Sequence, residues 1–592
     1  MKIYLIFPPP SDPRGPHLSL PSLAASLRKS GHEVILKDFD LEIVNYLLSP
    51  QTLNLSAQRA REKIDELDRK GRLSWQDSSY RHRLSTHLQQ APDLIDSVRN
   101  AVEILQGDEF YHLDRYRFAR RVIDESLALI ASSCSPELAY KMDGQVFQTR
   151  FHSDVLADLE EAVTSDRETL FGEIYESLFI REIEKEKPDL VGISVLNYQQ
   201  IIPGLTLAYK LKKRGFATFI GGTVYVKFIE ELEKRKRFFN FCDGLVVYEG
   251  EHALLALASK ADFAQVPNLI WMDGDTVKVN RPFRVEDLDL LPCPDFDGLP
   301  LDDYFIPEKV LPYALSKGCY WNRCHFCEIP YINNLPGTEY RLRDVKKSVD
   351  HLEELSSRYQ TPYFQFTDES CSPELLSELA SEIIRRNLQI RFLCYARFDK
   401  GFTKEVCKHL YKAGLRKLMF GLESGSPSML KKMNKGITVR QAEKIMENCF
   451  KAGINFRLFA IIGFPGETVD EALETFEFFK RNLHYLKSPF NTFEINRFHL
   501  DLHSCYNRER EKFGIKVHEE YKADFSLGGW KFETEKGMDE KTVNTLLKKM
   551  NDELYYLADG EKKYSGWEEY SLLFIDKLAP SHHLSKKNST TL

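Results

Sequence analysis

No apolar run in this chain approaches the ~20 residues that a helix needs to cross a bilayer. No Gly-x-Gly-x-x-Gly occurs in it, which argues against a nicotinamide dinucleotide site. A basic excess is missing too: 81 Lys and Arg stand against 88 Asp and Glu, a formal charge of −7. That balance argues against binding nucleic acid by bulk electrostatics. The eleven cysteines are odd in number and mostly scattered, which suits a reducing compartment better than a disulfide framework. The opening stretch, Met1 to Phe7, runs too soon into Pro8-Pro9-Pro10 to read as a signal peptide. These absences predict a cytoplasmic protein that binds neither membrane nor nucleic acid. At 592 residues, with 43% hydrophobic and 29% charged residues, it exceeds one hydrophobic core, so several domains are expected.

What the chain does have is a local demand for sulfur. Cys319, Cys324 and Cys327 fall within nine positions, in Leu315-Ser-Lys-Gly-Cys-Tyr-Trp-Asn-Arg-Cys-His-Phe-Cys-Glu328. The apolar run Val310–Leu315 reads as a strand, with the cysteines in the loop at its C-terminal end, where α/β folds place their chemistry. Structural zinc wants four ligands, and no second pair lies nearby; His325 is a possible fourth but is wedged between two cysteines. An iron–sulfur cluster on three cysteines leaves one iron free for a small molecule. Three unligated core cysteines are the remaining reading.

Upstream, strands alternate with amphipathic helices. Strands are expected at Ile3–Phe7, Glu33–Lys37, Asp189–Ser194, Ala217–Ile220 and Gly244–Val247. Helices are expected at Leu18–Ser30, Gly204–Arg214 and Glu251–Lys260. This pattern predicts a parallel doubly wound sheet with ligands at its C-terminal edge. Residues 50–185 interrupt it with charged helical sequence, as in Ala57–Lys70, Pro92–Leu105 and Val155–Val163. A hairpin is expected over Pro267–Pro282, turning at Asp273-Gly274-Asp275, and a proline-rich linker sets a boundary near 285–305.

From 308 onward six strand–helix repeats are expected. The strands are 310–316, Pro362–Thr367, Ile390–Tyr395, Lys417–Gly421, Asn455–Ile462 and Thr492–Phe498. The helices between them are 341–357, Pro373–Arg386, Lys404–Ala413, 427–433, 438–452 and Val469–Arg481. Polar residues stand at the strand ends: Asp368-Glu369, Arg397, Glu423-Ser424 and the segment Gly463–Glu467. Cys371, Cys394, Cys407 and Cys449 read as buried small hydrophobes. Beyond 498 the alternation fades. Gly528-Gly529-Trp530 and Tyr555-Tyr556 read as core packing or, in the alternative, as aromatics facing a substrate, and Pro580–Leu592 has the composition of a disordered tail.

The cysteine stretch resembles the radical S-adenosylmethionine (SAM) enzymes, whose usual signature is Cys-x3-Cys-x2-Cys with an aromatic before the last cysteine. Phe326 supplies that aromatic, while Tyr320–Arg323 lengthens the first gap to four. Leu422–Pro427 and Ile462–Thr468 resemble the family's fourth- and fifth-strand segments. The pieces of the N-terminal half resemble, in order, the cobalamin-binding domain that precedes many radical SAM cores. The matching features are the Pro-rich first loop, the Gly-Ile-Ser strand end, Gly221-Gly222 and the Gly-Glu step before a helix.

The resemblance implies a fold class of α/β type. A Rossmann-like doubly wound cobalamin-binding domain would span 1–290, with a helical insertion at 50–185. A partial (β/α)6 TIM-type radical SAM barrel would follow at 305–498, then a small α-rich substrate or capping region at 499–592. It implies a [4Fe–4S] cluster on Cys319, Cys324 and Cys327, and SAM contacts from Phe326, Asp368, Arg397, Glu423, Ser424, Ile462 and Gly463. Cobalamin contacts would come from Pro9, Pro10, Ser194, Val195, Leu196, Gly221, Gly222, Thr223, Glu249, Gly250 and Glu251. Asp-x-His-x-x-Gly is absent, so His17 and His32 are expected to pack or lie at the surface rather than ligate cobalt. No residue is assigned as a catalytic base.

The implied reaction is methyl transfer to an unactivated carbon through a 5′-deoxyadenosyl radical and methylcobalamin. The implied partners are a small-molecule or peptide substrate and an electron donor such as flavodoxin or ferredoxin, with the enzyme a monomer. Rivals are a cyclase or rearrangement enzyme using the same cofactors and a zinc-stapled scaffold without activity. A tRNA methylthiolating enzyme is a further rival. It would need three more N-terminal cysteines and a basic tail, where this chain has only Cys134, Cys242 and Cys293, widely spaced.

Overall fold

The computed structural model describes residues 1–332, 339–518, 524–525, 532–564 and 571–579. Gly528–Trp530 and the tail Pro580–Leu592 lie outside the described residues. The chain forms two compact units. One comprises Met1–Arg284 and Pro292–Pro307, with Asp524 and Phe525 joined to it; the other comprises Val285–Leu291 and the described remainder from Glu308 on.

Among the described residues, the first unit is built on a seven-stranded sheet. Its strands are β1 (Lys2–Phe7), β2 (Glu33–Asp38), β3 (Leu190–Ser194), β4 (Thr218–Gly221), β5 (Gly244–Val246), β6 (Leu269–Asp273) and β7 (Thr276–Val279). The spatial order is β2-β1-β3-β4-β5-β6-β7. The first five strands pair in parallel, and the hairpin β6–β7 adds antiparallel at the edge. β1 and β3 are buried almost throughout, as strands covered on both faces should be. The order reverses at β1, so the topological switch lies between the C-terminal ends of β1 and β3.

The 50–185 interruption is helical, as expected, in Pro50–Arg69, Trp75–Gln106 and Leu113–Cys134. The expected helical stretch Pro92–Leu105 is part of a 32-residue helix, with Pro92 in its interior. Tyr80, Leu84, Ala91, Leu94, Val98 and Ala101 bury a continuous stripe across it, and that burial outweighs the backbone hydrogen bond the proline lacks. A short antiparallel pair at Ala139–Tyr140 and Phe147–Gln148 carried no sequence signal. Asp524 is tied into this unit by Arg235 Nε, 3.0 Å, and by the amide of Leu156, 2.9 Å.

The second unit carries six parallel strands in sequential order: β8 (Val310–Tyr313), β11 (Tyr363–Cys371), β12 (Arg391–Ala396), β13 (Leu415–Glu423), β14 (Asn455–Ile462) and β15 (Thr492–Arg497). This is the open (β/α)6 barrel the repeats predict. Its helices begin where a side chain can cap them. Asp344, Ser372, Thr403, Thr438 and Thr468 each accept a hydrogen bond from a first-turn amide, and Thr468 with Glu471 completes a capping box.

Two boundaries differ from expectation. The 310–316 strand stops at Tyr313, and the chain then forms β9 (Ser316–Gly318), which pairs antiparallel with β10 (Tyr340–Leu342). The following helix therefore starts at Val345 rather than 341. The second strand also runs on to Cys371, so Asp368 and Glu369 lie within β11 and not after it. Both differences share one cause: Asp368, turned inward, accepts hydrogen bonds from Leu315 N (3.1 Å) and Ser316 Oγ (2.5 Å) and bends the chain there. Cys371, Cys394, Cys407 and Cys449 are fully buried, as expected. Tyr555 and Tyr556 are not core residues. They are 52% and 83% exposed, because helix Glu540–Leu557 buries Val543, Met550 and Leu554 on another face. Among the described residues no helix is long and apolar enough to cross a membrane.

Candidate active site

The cysteine loop, residues 319–328, follows β9 in the second unit. Four of the hydrogen bonds that fix it reach one short segment, Lys432–Asn434, at the end of helix Pro427–Lys432, while His325 O accepts from Tyr506 N at 3.3 Å and Glu328 Oε1 from His503 N at 3.2 Å. His325 N donates to Met433 O and His325 Nδ1 to Lys432 O, each at 3.0 Å. Trp321 Nε1 donates to Asn434 O at 2.9 Å, and Asn434 Nδ2 returns a bond to Arg323 O at 2.8 Å. His325 thus has one ring nitrogen committed to a backbone carbonyl.

Cationic side chains stand beside the sulfurs. Arg397, the residue after β12, stacks on Trp321 with its guanidinium 4.4 Å from the ring centre, and its Nη1 lies 3.9 Å from Cys324 Sγ. The buried Lys435 ammonium pairs with Glu423 Oε1 at 2.7 Å. Burial alone would lower Lys435, but the charge of Glu423 beside it outweighs that and holds the ammonium above its ordinary range. Burial pushes the Cys324 thiol up and the Cys327 thiol up to about 12. Left unligated, these thiols stay protonated at neutral pH; a metal would draw off the proton and stabilise the thiolate.

The other residues expected at the SAM site are placed as follows. Phe326 belongs to an apolar cluster with Met429, Met433, Phe464 and Phe498. Both oxygens of Asp368 are engaged by the turn after β8, and burial pushes its carboxyl up to about 6. Ser424 is fully buried against Thr475 Oγ1 at 3.0 Å. Ile462 is buried, and Gly463 N donates to Glu467 Oε2 at 2.6 Å. Glu423 ends β13 at a φ of +63°. Sequence reasoning missed Lys435 because it follows a helix rather than a strand end. Its signal was the Lys-Gly step after Asn434.

Do these residues fit the implied groups? Among the described residues no three His, Cys, Asp or Glu side chains converge closely enough to hold a single metal ion. A cubane cluster makes a different demand, since each thiolate takes its own iron and the sulfurs surround a body rather than a point. A buried donor without a hydrogen-bond partner also stands here, Arg397 Nε. Unfilled donors of this kind are what the amino-acid part of SAM would take up. The donor set fits a cluster with SAM.

In the first unit the switch between β1 and β3 is bridged by Gln200, which sequence reading also missed. This fully buried side chain accepts from Leu196 N at 2.8 Å and donates to Pro8 O at 2.6 Å. Pro9, Pro10, Ser194, Val195 and Glu251 are buried; Leu196, Gly221, Gly222, Glu249 and Gly250 are half-buried, and Thr223 is exposed. His17 stacks on Phe7 at 4.0 Å and bonds Ser11 Oγ at 2.8 Å, and burial pushes its pKa down to about 4. It is a neutral packing residue, as expected. Gly222 is required by the fold itself. Its φ is +136°, and a Cβ there would lie 1.7 Å from Val195 O, so the chain's own packing demands glycine without any ligand. The half-buried residues Leu196, Gly221, Gly222, Glu249 and Gly250 leave accessible surface along this edge, and to that extent the residues fit a corrin.

A radical SAM superfamily model matches residues 313–479. An uncharacterized methyltransferase of Pyrococcus horikoshii is 28% identical over 315 residues, 50% of this chain and 65% of that protein. The anaerobic magnesium-protoporphyrin IX monomethyl ester cyclase of Rubrivivax gelatinosus is 26% identical over 311 residues, 49% of this chain and 54% of the cyclase. The chain thus spans between half and two thirds of these curated relatives. Among solved structures, the radical SAM methyltransferase TsrM from Kitasatospora setae, with cobalamin and a [4Fe–4S] cluster bound, superposes with a TM-score of 0.52 at 16% identity, over 88% of this chain and 80% of that one. With its cysteine loop on an open (β/α)6 barrel, the chain carries a radical SAM domain and has the fold of the cobalamin-binding enzymes of that superfamily.

Proposed function

We propose that this protein is a cobalamin-dependent radical SAM enzyme that transfers a methyl group to an unactivated carbon of a small-molecule or peptide substrate. The observation that carries the reading is the pairing, in one chain, of a three-cysteine loop beside Arg397 and Lys435 with a separate parallel sheet whose order reverses at β1. In this reading residues 1–290 hold cobalamin, 305–498 hold the cluster and SAM, and 499–592 shape the substrate site.

When bound, the cluster supplies the electron that cleaves SAM, and cobalamin carries the methyl group that is delivered. The chain's own part is to bind and to position. Cys319, Cys324 and Cys327 would hold three irons and leave the fourth open. Arg397 offers a guanidinium to a carboxylate, and its Nε is a donor with no other partner. The Lys435–Glu423 pair keeps both charges fixed and dry beside Cys324. Leu196, the Gly221–Thr223 turn and Glu249-Gly250 present the half-exposed edge to the corrin.

A second reading, cyclisation with the same cofactors, is favoured by the similarity to the monomethyl ester cyclase. Turnover with methyl-deuterated SAM separates the two. Methyl transfer yields a product that carries the label; an unlabelled product formed at the same rate would replace methyl transfer by cyclisation.

A further inference from the structure

Every residue from Lys432 to Gly436 contacts either the cysteine loop or the groups that face it. Lys432 O and Met433 O accept from His325, Asn434 clasps both Trp321 and Arg323, and Lys435 O accepts from Arg397 while its ammonium holds Glu423. Gly436 completes the set. Its φ is +72°, and a Cβ there would lie 2.1 Å from the Trp321 ring. Asn434 also has a positive φ, +52°. Two left-handed residues in three turn the backbone so that successive carbonyls face the loop. Trp321 itself lies in the gap that carries one residue more than the usual signature, and it is clamped between Gly436 and the Arg397 guanidinium.

We propose that segment Lys432–Gly436 is a template that shapes the cysteine loop before any cluster is present, with Trp321 as the latch and Asn434 and Gly436 as its seat. These are positioning residues. None of them ligates metal; they fix where the three sulfurs stand, and the extra residue in the first gap is what lets the latch reach. The inference rests on the reading of the loop as a cluster site, but its test does not require that reading.

Hydrogen exchange of the full-length, cluster-free protein measures the template directly. In the wild type, the amides of 319–328, His325 N above all, should be protected. Trp321→Phe, which keeps an aromatic ring but loses the Asn434 bond and part of the packing on Gly436, and Asn434→Gly, which keeps the backbone conformation and loses the Arg323 bond, should each speed exchange in that stretch by about tenfold. Exchange in β11–β14 should be unchanged. Gly436→Ala should have a larger effect, and the two gentler variants keep the test decisive if it fails to fold. Iron and sulfide taken up on anaerobic reconstitution should fall in the same order. A wild-type loop that exchanges as freely as the variants would overturn the template, because the cluster alone would then shape the loop. Protected loops that take up no iron would overturn the cluster reading and leave the template standing.

Discussion

Glu467 shows how much a single buried carboxyl can say. It is fully buried, Oε2 accepts from Gly463 N and Phe464 N, and Oε1 has no partner. Burial pushes its pKa up to about 7, against the opposing pull of those two amides. A raised carboxyl stabilises the fold fully below its unfolded value, near 4.5, and that contribution is lost as pH climbs through 7. Glu467→Gln imitates the protonated form. In urea unfolding of the cluster-free protein, the variant should therefore gain on the wild type between pH 4.5 and 8, by on the order of 3 kcal/mol. An equal difference at both pH values would mean that the carboxyl is not held protonated by its surroundings. The three cysteines stand out by spacing, since clustered sulfur is rare, and the proposed function rests on them. Lys435 and Gln200 were not, because their roles come from partners 12 and 192 residues away.

At the scale of elements, helices were read to within a few residues wherever a capping side chain marks the start, as at Thr468 and Thr438. The strands were read well where they are fully buried. Errors came where one side chain redirects the backbone. Asp368 lengthens β11 and breaks the strand after Tyr313, and no local pattern announces a bond between residues 53 apart. The Gly221-Gly222 turn teaches a related lesson: the glycine is required, but by Val195 O. Gly222→Ala should cost at least about 2 kcal/mol in chemical unfolding, from the positive φ and the close carbonyl together. Wild-type stability in that variant would show that the turn relaxes and that packing does not demand the glycine.

At the scale of the molecule, two folds with separate cores lie in one chain, each built on a mainly parallel sheet, and the proposed function assigns one cofactor site to the C-terminal edge of each. The alternation of strand and helix made this architecture readable from sequence, while no periodicity encodes a substrate. Two sites in two units should load and fail separately. The decisive measurement is the metal content of anaerobically purified protein beside a variant with Cys319, Cys324 and Cys327 all changed to Ala. The account predicts about four irons and about one cobalt per chain in the wild type, with iron lost and cobalt kept in the variant. About one zinc and no iron in the wild type would contradict it.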